Sequence, residues 1–157
     1  MRWTNGPRPL VFLAALAAAG LAAPAARAAN PHFNTAPSIT INSDGTVTVC
    51  GTITGIGNQD IVVQLTVEGT MTVVYYNPGE KKPVGWNKEP VKVIAGKTIP
   101  KELIQNGNAS FCVSTTKPVA KPAPNPNWTV VIQDVKITKV TLSVTQGGKT
   151  TSFTYTY

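Results

Sequence analysis

Thr46-Val47-Thr48-Val49-Cys50-Gly51-Thr52-Ile53-Thr54 decides the fold class, because its side chains alternate with period two and it holds one of only 2 cysteines. Successive residues of a strand face opposite ways, so Val47, Val49 and Ile53 share one face and Thr46, Thr48, Cys50, Thr52 and Thr54 the other. The second cysteine repeats the arrangement. In Asn108-Ala109-Ser110-Phe111-Cys112-Val113-Ser114, the residues Ala109, Phe111 and Val113 face one way and Ser110, Cys112 and Ser114 the other. Both sulfurs fall on hydroxyl-bearing faces. A bridge between them is therefore expected to join neighbouring strands of one sheet on its polar side. A bridge through the core would put each cysteine in phase with the apolar residues.

The same period extends in both directions. Ser38-Ile39-Thr40-Ile41 reads as a short strand, closed by the turn Asn42-Ser43-Asp44-Gly45. Ile61, Val63, Leu65 and Val67 form an inward row, and Glu68-Gly69 reads as a reversal into Met71, Val73 and Tyr75. Asn77 to Pro90 reads as a long connection carrying Pro78, Pro83 and Trp86, of the length that is often functional. Val91 to Ala95 resumes a strand. Pro100-Lys101-Glu102-Leu103 is the one place that suits a helical turn. Lys117 to Asn127 holds Pro118, Pro122, Pro124 and Pro126 and reads as a stiff excursion. From Trp128 the chain returns to the sheet. The alternation Val135, Ile137 slips by one to Val140, Leu142, Val144, which predicts a bulge near Thr138-Lys139. Gln146-Gly147-Gly148-Lys149 is a hairpin turn, followed by Phe153, Tyr155 and Tyr157 in alternation with threonine. The expected fold is an all-β, antiparallel β-sandwich of immunoglobulin-like architecture with about eight short strands.

The compartment follows from the first residues. Arg2 and Arg8, the apolar run Leu10 to Leu21 and the small-x-small site Ala26-Arg27-Ala28 read as a secretory signal peptide over residues 1–28, leaving 29–157 as a single sandwich domain. The run is too short for a stable membrane anchor, so no membrane span is expected after cleavage. Export makes an oxidised Cys50–Cys112 pair plausible. Of 14 basic residues, cleavage removes Arg2, Arg8 and Arg27 and leaves 11, all lysine, against 7 acids, a balance of +4. Readers of nucleic acid usually carry arginine for bidentate contacts, so no nucleic-acid partner is expected. A diffuse positive field instead favours solubility or a weak pull toward anionic cell-surface polymers.

Catalytic groups are scarce. The single histidine, His32, lies a few residues past the expected cleavage site, where a nucleophile's general base is not expected. Asp44, Asp60, Glu68, Glu80, Glu89, Glu102 and Asp134 fall mostly in expected turns beside lysine, glycine or proline and read as solvated carboxylates. No metal site, cofactor or catalytic residue is expected. Tyr76, Trp86 and Trp128 form the candidate binding surface, lining one rim where they stack on sugar rings or a partner's apolar side chains. The alternative places Trp128 and Tyr75 in the core and folds Trp86 over a sheet edge. Asn108-Ala109-Ser110 also meets the glycosylation triplet.

Two resemblances bear on the fold. Cys50 and Cys112 are similar in spacing to the cysteine pair of immunoglobulin domains, with Ser110 where that family has its corner tyrosine, which implies a shared sandwich architecture. Ser152-Phe153-Thr154-Tyr155-Thr156-Tyr157 resembles the last strand of chaperone-usher fimbrial subunits, with Thr156 in place of the penultimate tyrosine. That likeness implies polymerisation by donation of an N-terminal strand. Asn77-Pro78-Gly79, Asn125-Pro126-Asn127-Trp128 and Gln146-Gly147-Gly148 are similar to segments of small secreted bacterial proteins, which implies a compartment and no chemistry.

The expected function is that of a secreted, extracellular or periplasmic, non-catalytic module that binds through its long Pro-rich loops. A cell-surface polysaccharide or protein is the partner class. The alternatives are a fimbria-like self-associating subunit and a small carbohydrate-binding module.

Overall fold

A computed structural model describes residues 30–80 and 82–157, so the expected signal peptide lies outside the described residues. The described chain is all-β. Its strands are β1 (Ser38–Ile41), β2 (Val47–Thr54), β3 (Ile61–Tyr76), β4 (Pro83–Ile99), β5 (Asn108–Ser114), β6 (Thr129–Gln146) and β7 (Lys149–Thr156), with one 3-10 turn at Lys101–Leu103. They form two antiparallel sheets, ordered β1-β2-β5 and β4-β3-β6-β7, around one shared core. The result is a sandwich-like arrangement.

The period-two reading places the core correctly. Val47, Val49 and Ile53 of β2, Ala109, Phe111 and Val113 of β5, and Ile61, Val63, Leu65 and Val67 of β3 are all buried. Cys50 stands opposite Cys112 in the β2–β5 register, and the two are bonded. The bridge lies on the outer face of one sheet, between Thr48–Ser114 and Thr52–Ser110 hydroxyl pairs at 2.8 and 3.1 Å. An immunoglobulin bridge crosses between sheets instead. In the chain-entropy account, cross-linking residues 62 apart stabilises the fold by about 4 kcal/mol.

Three expectations change. About eight short strands become seven, of which β3, β4 and β6 run for 16, 17 and 18 residues. Glu68-Gly69 is no reversal, since β3 passes straight through it. Gly69 serves close approach instead: a Cβ there would overlap the Lys136 carbonyl oxygen and press on Ile137. The connection expected over Asn77–Pro90 shrinks to a hairpin loop, because β4 begins at Pro83. An edge strand has a partner on one side only, so a proline whose missing N–H faces away from that partner breaks no ladder bond.

β6 keeps its apolar residues inward by bulging twice. Glu68 pairs with Lys139 and Gly69 with Ile137, which leaves Thr138 as the extra residue where the slip in alternation predicts one. Thr72 pairs with Asp134 and Val73 with Ile132, leaving Gln133 over in the same way. The step from Ile132 to Val135 is the sequence trace of this second bulge.

The two sheets differ in length, and the difference needs covering. β2 has 8 residues against 16 in β3, which at about 3.4 Å per residue leaves roughly half of the long sheet's inner face beyond the short one. The β1–β2 turn ends beside Val135, where a Cβ on Gly45 would meet Val135 Cγ1 at 2.9 Å and Pro118 Cδ at 3.0 Å. Beyond that point the segment 115–128 continues the layer as a strap. Pro118 is buried, and Ala120, Ala123 and Trp128 pack on the core. Prolines lack an N–H, so a proline-rich segment crosses an apolar face with few donors to satisfy. The donor that remains at Lys121 goes to Glu89, whose Oε2 accepts it at 3.0 Å while the side chain is only 4% exposed. Glu89 is thus a buried acceptor on β4, not the solvated turn carboxylate expected.

The N-terminal segment closes the other side. His32 exchanges two backbone hydrogen bonds with Thr54, and Phe33 lies edge-on to Phe111 and Phe153 at 6.4 and 6.2 Å. The Tyr155 hydroxyl donates to the Pro37 carbonyl at 2.7 Å.

Substituting Gly69→Ala is expected to destabilise the fold by about 1–3 kcal/mol, because backbone on β6 has to give way. Urea unfolding measures it as a lower midpoint with an unchanged slope.

Candidate functional site

β3 carries its even-numbered residues on the outer face of the four-stranded sheet, as does β4 from Trp86 onward, and a register shift at Tyr75/Tyr76 brings Pro83 opposite Tyr76. Tyr76 pairs with Pro83, Val74 with Trp86, Thr72 with Lys88, Thr70 with Pro90 and Glu68 with Lys92. From β6, Val131 lies opposite Val74, Lys136 opposite Thr70 and Lys139 opposite Glu68. The face therefore changes character along its length, from an aromatic end near the β3–β4 hairpin to a lysine-rich middle.

At the aromatic end, Thr72, Val74, Tyr76, Pro83, Trp86 and Gln133 line an open hollow of about 350 Å³. Val74 is buried on this outer face, among the side chains that border the hollow. Trp86 is 69% exposed although it sits in a regular strand with Val74 as its register partner. The backbone that carries this indole is paired with β3, and the ring faces solvent. The hydroxyl of Thr72 and the amide of Gln133 add donors and acceptors at its margin.

Of the three residues expected to form one rim, the structure brings two together. Tyr76 and Trp86 share the hollow, whereas Trp128 lies on the inner side, tilted against Tyr75 with ring centroids 6.4 Å apart. Trp128 belongs to the strap. The odd parity of buried Tyr75 and the even parity of Tyr76 send these two neighbours to opposite faces. Thr72, Val74 and Gln133 are absent from the sequence reading. Strand parity carried through residues 83–90 would have found the face, but the prolines there masked the alternation of Trp86 and Lys88 with Glu89 and Val91.

The remaining sequence candidates are structural. The His32 ring nitrogen Nδ1 lies 2.8 Å from the Asn30 carbonyl and beside Gly55. Asp60 accepts the Lys101 backbone N–H at 2.9 Å. Asn108, of the glycosylation triplet, uses its amide to donate to the Asn106 carbonyl at 3.0 Å. Among the described residues no three His, Cys, Asp or Glu side chains gather as a metal cluster.

Asp44 organises a second, smaller hollow at the free edge of β6, lined by Lys117, Pro118, Gln133 and Asp134 among others. Its Oδ1 accepts hydrogen bonds from the Thr46 hydroxyl at 2.7 Å and the Thr46 backbone N–H at 3.0 Å, and its Oδ2 pairs with Lys117 at 3.2 Å. The Thr46 bonds, with the Lys117 charge behind them, hold its carboxyl down at about 2, from an ordinary 3.8. This group ties the β1–β2 turn to the start of the strap.

Comparison with protein-family models, with curated proteins and with solved structures gives no match.

Two outcomes follow from these contacts. Trp86→Ala is expected to leave stability within about 0.5 kcal/mol, as for an exposed side chain. Trp128→Ala is expected to cost about 2 kcal/mol or more by uncovering Tyr75. Thermal or urea unfolding of the two variants reads the contrast. For Asp44, a depressed folded value means that its contribution is present above the unfolded value near 4 and lost as pH falls through about 2. Carboxyl-carbon NMR titration is expected to place its midpoint near 2, and Asp44→Asn to reduce the stability difference between pH 5 and pH 2.

Proposed function

We propose that this chain is an exported, non-catalytic binding module whose recognition surface is the outer face of the four-stranded sheet at Trp86 and Tyr76. The exposed, strand-held Trp86 over its open hollow carries the reading. An exposed tryptophan in a polar-faced strand is apolar surface that water solvates poorly, and tryptophan is the side chain richest in contact energy at interfaces. The long loops first expected to bind are less suited, since the Pro-rich strap is packed on the core and the other has become strand.

The disulfide and the amino-terminal pattern of a signal peptide support export, to the periplasm or beyond the cell. The two-sheet layout serves as an immunoglobulin-like scaffold in outline, with its bridge moved to an outer face. A carbohydrate-binding role fits the same platform, because a sugar ring offers an apolar face to an indole and hydroxyls to Thr72 and Gln133. The fimbria-like alternative draws less support. Its donor strand would be the N-terminal segment, and residues 30–37 are here seated against their own β2, Phe111 and Phe153.

The test is an array of glycans and cell-surface proteins probed with the mature chain and with Trp86→Ala. Binding that disappears in the variant, while its unfolding midpoint stays at that of the parent, supports the platform. Binding of equal strength in both rules it out.

A further inference from the structure

Resting on that reading of the Trp86 face, we propose that its ligand is an acidic polysaccharide, with a sugar ring on Trp86 and successive carboxylate or sulfate groups on Lys88, Lys136 and Lys92. The register places these lysines in sequence away from the indole. Lys88 stands opposite Thr72, Lys136 opposite Thr70, and Lys92 opposite Glu68, all on the side of the sheet that bears Trp86. From Val74, the partner of Trp86, to Glu68 is a run of roughly 20 Å along β3 at about 3.4 Å per residue. That is the span of an extended oligomer, not of a single small ligand.

The charge on this face leans positive, with four lysines against Glu68 and Asp134. Lys88, Lys92, Lys136 and Lys139 are exposed, and Glu68 is engaged by Lys139 at 3.2 Å. Asp134 stands opposite Thr72 on the same face, beside Lys136, and also borders the hollow of Asp44 and Lys117, so the face keeps a net excess of lysine. Away from this face Glu89 accepts a hydrogen bond beneath the strap, Asp60 accepts the Lys101 backbone N–H and Asp44 the Thr46 hydroxyl. The lysines of this face therefore offer charge that a polyanion can match.

Polysaccharide is favoured over nucleic acid by the donor set. Residues 30–157 contain no arginine, so phosphate forks and guanidinium stacking are missing, and lysine acts as a point charge that suits a carboxylate or sulfate at variable angles. One aromatic platform followed by point charges at strand spacing matches a polymer in which flat ring faces alternate with charged substituents. A run of stacked bases would call for several aromatics.

The test measures tryptophan fluorescence and affinity of the mature chain for polygalacturonate, sulfated dextran, an uncharged glucan and single-stranded DNA. Affinity for an acidic polysaccharide is expected to exceed that for the glucan about tenfold or more. It is expected to fall by about the same factor when salt rises from about 0.05 to about 0.5 M. Lys88→Glu/Lys136→Glu and Trp86→Ala are each expected to reduce it about tenfold. Lys97→Glu/Lys101→Glu, with the same change in net charge away from the face, is expected to stay within about twofold of the parent. Salt-insensitive, Trp86-dependent binding of the uncharged glucan as strong as that of the acidic polymers overturns the charge assignment and leaves the platform standing. DNA binding as strong as polysaccharide binding and lost in the same variants overturns the ligand class. No Trp86-dependent binding to any of the four overturns the charge assignment, and the array then decides the platform on its own.

Discussion

The unequal length of the two sheets is the constraint on which the molecule turns. Three long strands leave apolar side chains on an inner face that the short sheet cannot reach, and exposed apolar area of that size is not left open in a soluble fold. The segment 115–128 supplies the missing cover. It does so with prolines, which bring few donors into an apolar place, and with Glu89 as acceptor for the Lys121 N–H. Trp128 finishes the cover on Tyr75. A proline-rich stretch that looks like a free loop is in this way packed on the core, and the outer face of the long sheet stays open to solvent.

Much of this fold is legible in the sequence wherever local period and global burial agree. The phase of Cys50 and Cys112 against their apolar neighbours yields an intrasheet bridge, and the slip between Ile137 and Val140 yields the bulge at Thr138. What is not legible depends on what lies opposite. Gly69 in Glu68-Gly69 resembles a turn glycine in every local respect, and only the closeness of Lys136 on β6 shows why the side chain must be absent. Prolines 83 and 90 resemble loop markers because strand propensity assumes neighbours on both sides, and β4 has one. Of the candidate site, Trp86 and Tyr76 are visible as aromatics, but their common face is hidden with the strand that carries Trp86. Trp128 differs from them only by belonging to the inner layer, which no local pattern encodes.

The polar outer faces are largely satisfied within the chain. Hydroxyls meet across strands on both sheets: Thr48 with Ser114, Thr52 with Ser110, Ser143 with Ser152, Thr145 with Thr150. Such pairs satisfy one another, add modest cross-strand stability and leave little for a ligand to exchange. The opposite end of the long sheet breaks the rule. There Trp86 presents its ring to water from a paired strand, and lysines outnumber the acids Glu68 and Asp134 beside it.

Rigidity gives that contrast its functional weight. A tryptophan on a mobile loop loses conformational freedom when it binds, which subtracts from affinity. One set in register between β4 residues paired to β3 is already ordered, and the same holds for the backbone positions of Lys88 and Lys92. The covering strap, the two bulges of β6 and the close approach at Gly69 keep the long sheet in one shape. Features far from Trp86 thereby fix the backbone spacing of the groups around it, and under the proposed reading that spacing is what a polymer's repeat of rings and charge would have to match.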